Sequence, residues 1–369
     1  MKKEITVFVA CAIVSIVCYF RLPMFGRLPS GQRLGRIEKS SNYRGDAFRN
    51  INEKPLLLKN PIIAVLKFLF GNNVGLKPPY PLPSVKTDLK NLNVNEDLLI
   101  WFGHSSYLIQ LNGKRILVDP LFSEVSSPVL FFPKAFDGSN VYQVEDMPEI
   151  DYLIITHDHW DHLDYNTVLR LKSKVKKIIC PLGVGEHFEY WGFNVSCLLE
   201  MDWNEEISLD QNLTIFCLPA QHFSGRGFFR NTSLWCSFLL KTKDFQCYIG
   251  GDSGYGTHYK EIGKRFGPID LAILDSGQHN QNWRHVHMMT DEVVNALYDL
   301  NGKSLLPVHI CKVRLANHQW DEPLNELSMM LDEKKLLTPM IGEKIHIKSS
   351  DNTTKKWWKT YHTWDSDNH

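Results

Sequence analysis

The segment DYLIITHDHWDHLD, residues 151–164, constrains this chain more than any other. A strand-like apolar run ends there, and four metal-type donors follow at once: His157, His159, Asp161 and His162. Gathering imidazoles and carboxylates this closely means desolvating and orienting them, a cost that a bound cation offsets and a plain surface loop does not. The spacing favours a loop over a helix, because residues two apart on a straight helix diverge by about 200°. In a loop leaving a strand, two imidazoles can turn to one cation while the next carboxylate and imidazole reach a second.

Three further donors occupy the same kind of position. His222 follows LTIFCLPAQ, Asp252 follows CYIGG and His309 follows SLLPV. In open α/β structures the loops beyond the carboxyl ends of strands are where sites are built. Seven donors complete two cation sites when one carboxylate is shared. The expected assignment is His157, His159 and His222 on one metal, Asp161, His162 and His309 on the other, and Asp252 bridging. Two Zn2+ ions are the default for such donors, while iron and manganese occupy similar cages and are not excluded by them. Two divalent ions about 3.5–4 Å apart lower the pKa of a shared water toward neutrality, supplying hydroxide, and polarise a bound phosphoryl or carbonyl oxygen. Asp252, as the bridge, is expected to orient or deprotonate that water.

The rest of the chain reads as a folded α/β protein. Lys plus Arg and Asp plus Glu both number 41, so no overall field draws the chain to nucleic acid. A hydrophobic fraction of 43% argues against disorder. From Leu98 onward strand-like runs dominate: LLIWF, SYLIQL, KRILVD, YLIITH, KKIIC, LTIFCL, SFLLKT, CYIGGD, LAILD and SLLPVHI. Asn112–Gly113 between the second and third is a hairpin turn. Helix-like stretches alternate with them, YNTVLRLKSKV after Asp164 and TDEVVNALYDL over residues 290–300. The expected organisation is a catalytic domain over residues 91–369, an N-terminal extension over 22–90 and a terminal segment over 1–21. Within the extension, PIIAVLKFLF predicts a short helix over residues 61–70.

After Lys2 and Lys3, ITVFVACAIVSIVCYF runs uncharged for about 16 residues to Arg21. Spanning a bilayer takes about 20, but signal anchors and signal peptides fall near this length, and no small-x-small cleavage site follows. An uncleaved membrane anchor is expected, with a buried helix as the alternative. Arg21, Arg27, Arg33, Arg36 and Lys39 beyond the run favour a cytoplasmic enzyme domain. The eight cysteines lack CxxC pairs and read mostly as buried free thiols. Nothing in the sequence marks an oligomeric interface.

THDHWDH resembles the HxHxDH signature of the metallo-β-lactamase superfamily. That resemblance implies an αββα sandwich, two mixed sheets flanked by helices, and usually two zinc ions. WFGHSSYLIQLNGKRILVDP, PAQHFSGRG, GGDSGYG and VHMMTDEVV resemble more narrowly the branch containing N-acyl-phosphatidylethanolamine-hydrolysing phospholipase D. The likeness covers roughly residues 35–327, most securely from Leu99. It implies a phosphodiesterase acting on a phospholipid through a metal-bridging hydroxide. Related branches hold lactonases and other hydrolases of soluble esters, and a non-enzymatic metal-binding protein is the remaining alternative. Asp119 matches the superfamily's early Asp, implying a partner that orients a metal-binding His. His287 matches a His of the phospholipase D motif, implying stabilisation of developing charge or protonation of the leaving group. His104 is read as structural, and His279 and His285 as uninvolved. Residues 275–288, DSGQHNQNWRHVHM, depart from the animal enzymes, so their substrate contacts do not transfer. The aromatic-rich residues 121–136 read equally as an acyl groove or as core. The tail KKWWKTYHTWDSDNH reads as a packed segment or a surface strip.

Overall fold

The computed structural model of the chain describes residues 2–58, 74–129, 132–349, 352 and 354–362. The helix expected over residues 61–70 lies outside them. Period-two alternation sets the layers. In β1 (Leu98–Trp101), Leu99 and Trp101 turn to one core and Leu98 and Ile100 to another. In β3 (Lys114–Val118), Ile116 and Val118 face the first core and Leu117 the second. Strands buried on both faces need a packed layer on each side.

Two mixed sheets result. The seven-stranded sheet has the order β13 (Lys344–His346), β1, β2 (Tyr107–Leu111), β3, β4 (Ile150–Ile154), β5 (Val175–Pro181), β6 (Leu198–Met201). The six-stranded sheet has the order β12 (Gly302–Val308), β11 (Ile269–Asp275), β10 (Gln246–Ile249), β9 (Ser237–Lys241), β8 (Leu213–Leu218), β7 (Glu206–Asp210). Pairing is parallel from β3 to β6 and from β10 to β12, and antiparallel elsewhere. The hairpin between β2 and β3 is the expected one: Leu111 pairs with Lys114, and Asn112 and Gly113 take φ of 49° and 72°, the left-handed pair that a tight two-residue turn needs.

The inter-sheet core holds Trp101, Ile116, Ile215, Phe238 and Ile273. Outside the first sheet pack α3 (Tyr165–Leu171) and α4 (Gly185–Tyr190), through Val168, Leu171 and Phe188. Outside the second pack α5 (His258–Phe266), α6 (Thr290–Asp299) and α7 (Glu322–Met330), through Tyr259, Ile262, Val293, Leu297 and Leu327. The architecture is the αββα sandwich.

The N-terminal extension belongs to this body. Ile37, at the end of α2 (Gly31–Ile37), and Phe48 are fully buried in the inter-sheet core. Arg33 pairs with Glu186, Glu189 and Glu200 at 2.5–2.8 Å. At the other end Trp357 and Trp358 are buried, so this part of the aromatic tail is packed. The residue 121–136 segment sends Phe122 and Phe136 into the cores rather than into a groove. Cys180, Cys217, Cys236, Cys247 and Cys311 are buried free thiols.

The uncharged run forms α1 (Lys2–Phe20), 19 residues long, with Ile5, Val7, Phe8, Ile13 and Val14 exposed. Among the described residues no helix is long and apolar enough to cross a membrane. Lys2, Lys3 and Glu4 occupy its first turn, and the remainder falls short of the ~20 apolar residues a span takes. The helix meets the body through Tyr19 Oη, which donates to Pro128 O at 2.6 Å, and through Phe20 on Phe228 at 4.0 Å.

Lys312 is buried beneath β1, its Nζ donating to Phe102 O at 3.1 Å and to Asn140 Oδ1 at 3.4 Å. Burial, against the opposing charge of Asp164, lowers its ammonium from 10.5 to about 7. Between those two values the unfolded chain holds a proton that the folded chain does not, so stability rises with pH across this window and is lowest below pH 7. Lys312→Met removes that slope. Urea unfolding should show the Met variant gaining on the parent by roughly 2–4 kcal/mol more at pH 6 than at pH 10. A difference that stays flat with pH would mean that Lys312 is not neutral in the fold.

Candidate metal centre and adjoining cleft

The donors and their partner Asp119 sit past the carboxyl ends of strands: Asp119 after β3, His157 after β4, His222 after β8, Asp252 after β10 and His309 after β12. The strand ends of both sheets therefore point their loops at one place. The backbone is bent to suit, since His104, Asp119 and His309 take φ of 54°, 38° and 66°, a region non-glycine residues rarely adopt and one that clusters at functional sites. Gly251, at φ 60°, precedes Asp252, and a Cβ there would meet Thr156 Cβ at 3.0 Å and Cys236 O at 3.1 Å.

Two donor sets form. In the first, His157 Nε2 lies 2.9 Å and His222 Nε2 3.2 Å from His159 Nδ1. The outward nitrogens are fixed, His157 Nδ1 against Thr156 Oγ1 at 3.1 Å and His222 Nδ1 against Val286 O at 3.0 Å. Burial holds His157 and His222 well below the ordinary imidazole value and brings His159 to about 4. Three neutral rings thus turn nitrogens toward one point, the form in which imidazole binds metal.

In the second set, Asp161 Oδ2 lies 3.2 Å from His309 Nε2 and 3.6 Å from His162 Nε2, while His104 Nε2 contacts the same oxygen at 2.8 Å. Burial lowers His162 and His309, but the surrounding carboxylates outweigh it, raising His309 to about 10 and His162 well above its ordinary value. Burial likewise favours protonated Asp161 and Asp252, and the charge of His162 overrides it, holding both well below the usual carboxylate range. Asp252 joins the sets: Oδ1 lies 3.2 Å from His162 Nε2 and 3.4 Å from His309 Nδ1, and Oδ2 lies 3.9 Å from His157 Nε2 and 3.8 Å from His222 Nε2.

These residues fit divalent cations. His157, His159, His222 and Asp252 each offer one ligand atom within 4.8 Å of the others, as do His104, Asp161, His162 and His309. His162 Nε2 and Asp252 Oδ1 are buried without a hydrogen-bond partner, an expensive state that a cation between them would relieve. Asp119 does what the sequence implied: its Oδ2 accepts from His162 Nδ1 at 2.8 Å and from Thr156 Oγ1 at 2.6 Å. His279 stacks on His318 and His285 meets Pro55 O, both outside the donor groups.

Four supporting residues escape a reading for donors alone. Asp275, at the end of β11, ties His287 to the centre: Oδ2 meets His287 Nδ1 at 2.7 Å and Oδ1 meets His309 Nδ1 at 3.0 Å. Its position at the end of LAILD was the available signal. Asp158, between two donors, turns away to accept from Gly225 N at 2.7 Å and Ser233 Oγ at 2.8 Å. Arg226 donates to Asp158 O and Leu163 O, clasping the donor loop from both ends. Asn50, from the extension, clamps His222: its Nδ2 donates to His222 O at 2.8 Å and its Oδ1 accepts from His222 N at 3.1 Å. Asn50→Ala should leave those backbone groups short of partners and weaken metal retention about tenfold. A competition titration against a chromophoric chelator checks this, and unchanged affinity would reduce Asn50 to packing.

Beside His287 opens a cleft of about 310 Å³. Leu56 and Leu57 of the extension, Phe223, Trp283, Val286 and Leu315 make its apolar wall, and Gln278, His287 and Arg230 its polar groups.

A beta-lactamase superfamily domain matches residues 114–310. The chain belongs to the metallo-β-lactamase superfamily. An uncharacterised protein of Mycobacterium tuberculosis is 33% identical over 331 residues, 87% of this chain and 88% of that one. N-acyl-phosphatidylethanolamine-hydrolyzing phospholipase D 1 of Caenorhabditis elegans is 28% identical over 249 residues, 64% of this chain and 70% of that one. Within the superfamily this chain is a metal-dependent hydrolase, and it is similar to such phospholipase D proteins. The crystal structure of CmlA, a diiron β-hydroxylase from Streptomyces venezuelae, has the same fold, with a TM-score of 0.53 at 18% identity over 68% of this chain and 54% of that one.

Proposed function

We propose that this metallo-β-lactamase-fold protein is a binuclear zinc phosphodiesterase of phospholipase D type, cleaving N-acyl-phosphatidylethanolamine-like lipids. The observation that carries the binuclear reading is the division of Asp252, one oxygen toward each donor set. His157, His159 and His222 would hold one zinc, Asp161, His162 and His309 the other, and Asp252 both. A pair of divalent cations supplies Lewis acidity toward a phosphoryl oxygen and acidifies water.

The chain's own groups do the rest. Asp252 orients the attacking water and takes its proton on a carboxylate oxygen. Asp275 accepts from His287 Nδ1–H, fixing the ring and stabilising the imidazolium, whose Nε2–H is given to the departing alkoxide oxygen. His104 Nε2 steadies Asp161. Leu56, Leu57 and Trp283 keep water from the cleft. The likeness to the nematode enzyme supports the lipid substrate. The same reading sets the exposed apolar α1 against the membrane surface that presents the lipid, lying on it rather than through it.

The full chain, with metals quantified by elemental analysis, is incubated with N-acyl-phosphatidylethanolamine vesicles, and the products are read by mass spectrometry. Phosphatidic acid and free N-acylethanolamine, with about two zinc per chain, are expected. A fully metallated protein that leaves the lipid intact and opens lactones or small esters would overturn the substrate assignment while keeping the centre.

A further inference from the structure

The cleft beside His287 holds three polar side chains and the indole N–H of Trp283, and all but one of these are already engaged. His287 Nδ1 is bound to Asp275. Gln278 donates through Nε2 to Val313 O at 3.0 Å and accepts at Oε1 from Leu315 N and Ala316 N at 2.7 and 3.0 Å. Trp283 Nε1 donates to Gln278 O at 2.9 Å. Arg230 differs: among the described residues its guanidinium meets no carboxylate, and its contact is the face of Phe223, 5.4 Å from the ring centroid. Phe223 in turn lies 4.5 Å from the His159 ring and 4.8 Å from the His222 ring. One aromatic ring therefore separates an unneutralised cation from the first donor set.

We infer that Arg230 selects the substrate, and that this cleft takes an anionic amphiphile: one negative charge against Arg230 and one alkyl or acyl arm along Leu56, Leu57, Trp283 and Leu315. A guanidinium over a ring face spends none of its N–H donors on that contact, and its planar fork can engage two oxygens of a phosphoryl group at once. A neutral lactone or simple ester gives that fork nothing to pair with, and a small phosphodiester leaves the apolar wall wet. Binding both parts together is what an amphiphile alone achieves. This inference rests on the proposed centre being the place of reaction, but its test does not depend on turnover.

Isothermal titration of the full, zinc-loaded chain uses three probes without a scissile P–O–C bond: methyl(octyl)phosphinate, dimethylphosphinate and dimethyl(octyl)phosphine oxide. The first carries charge and arm, the second charge alone, the third arm alone. The first should bind at least about tenfold more tightly than either other. Arg230→Gln should weaken the first and second about tenfold and leave the third unchanged, with Arg230→Lys recovering part of the loss. Trp283→Ala should weaken the first and third alone. Equal losses for charged and neutral probes, or no loss in Arg230→Gln with its melting temperature and zinc content intact, would overturn the role of Arg230. Absence of lipid cleavage alongside these binding results would overturn the phospholipase D reading and leave the selectivity standing.

Discussion

Asp252→Asn should fold as the parent does and lose about 10³-fold in kcat, a barrier increase of about 4 kcal/mol, together with metal from at least one position. The substitution is isosteric, and the residue is almost wholly buried at the end of β10 beside Gly250 and Gly251, so shape is conserved. What changes is the number of charged acceptors. The carboxylate directs Oδ1 to His162 and His309 and Oδ2 to His157 and His222. An amide has one acceptor oxygen and no charge, so it can serve one donor set and opposes the other with an N–H. Circular dichroism should be unchanged, and elemental analysis should show the loss after mild chelation. Near-normal turnover with full metal content would sink the bridging assignment and require the two sets to be joined by another group, of which Asp275 is the nearest candidate through His309.

How much of this could be read from the chain depended on whether a residue's partners were local. The donors were legible because each stands just beyond an apolar run, and a run buried on both faces, such as Leu98–Trp101, shows as a strand without further context. The hairpin at Asn112–Gly113 was legible for the same reason. The short strands β6, β7 and β13 were not. LLEM and EISLD mix polar and apolar residues because they lie at or near a sheet edge, where one side stays partly wet. Asn50 gave no signal at all: it sits in an irregular segment, and its partner His222 is 172 residues away. Aromatic richness left residues 121–136 open between groove and core, since composition does not say which way a ring points, and Phe122 and Phe136 point inward. The groove wall came instead from Leu56, Leu57 and Trp283, from an irregular segment and from the stretch that departs from the animal enzymes. The N-terminal run is helical, and among the described residues no helix is long and apolar enough to cross a membrane.

His287→Ala should keep its metal and lose about 10²-fold in kcat with little change in KM. The prediction is exposed to a specific rival, because Asp252, Asp275, His287 and His309 also bring their ligand atoms within 4.8 Å of one another. Were His287 a ligand, its Nδ1 would face the centre with nothing else to hold it. Instead Nδ1 lies 2.7 Å from Asp275 Oδ2, and the ring packs edge-on to His222 at 5.2 Å with its other side in the cleft. A carboxylate that accepts from Nδ1–H fixes the ring with Nε2 toward the cleft and stabilises the imidazolium, whose Nε2–H is the proton a general acid delivers; a metal ligand would instead need Nδ1 or Nε2 turned to the centre as a lone pair. Two readouts separate the cases. With a substrate whose leaving group is as acidic as p-nitrophenol, departure needs no proton, so the Ala variant should recover most of its rate. Loss of metal in step with loss of rate, and equal damage with good and poor leaving groups, would make His287 a builder of the metal centre and would leave the departing oxygen to be protonated by solvent.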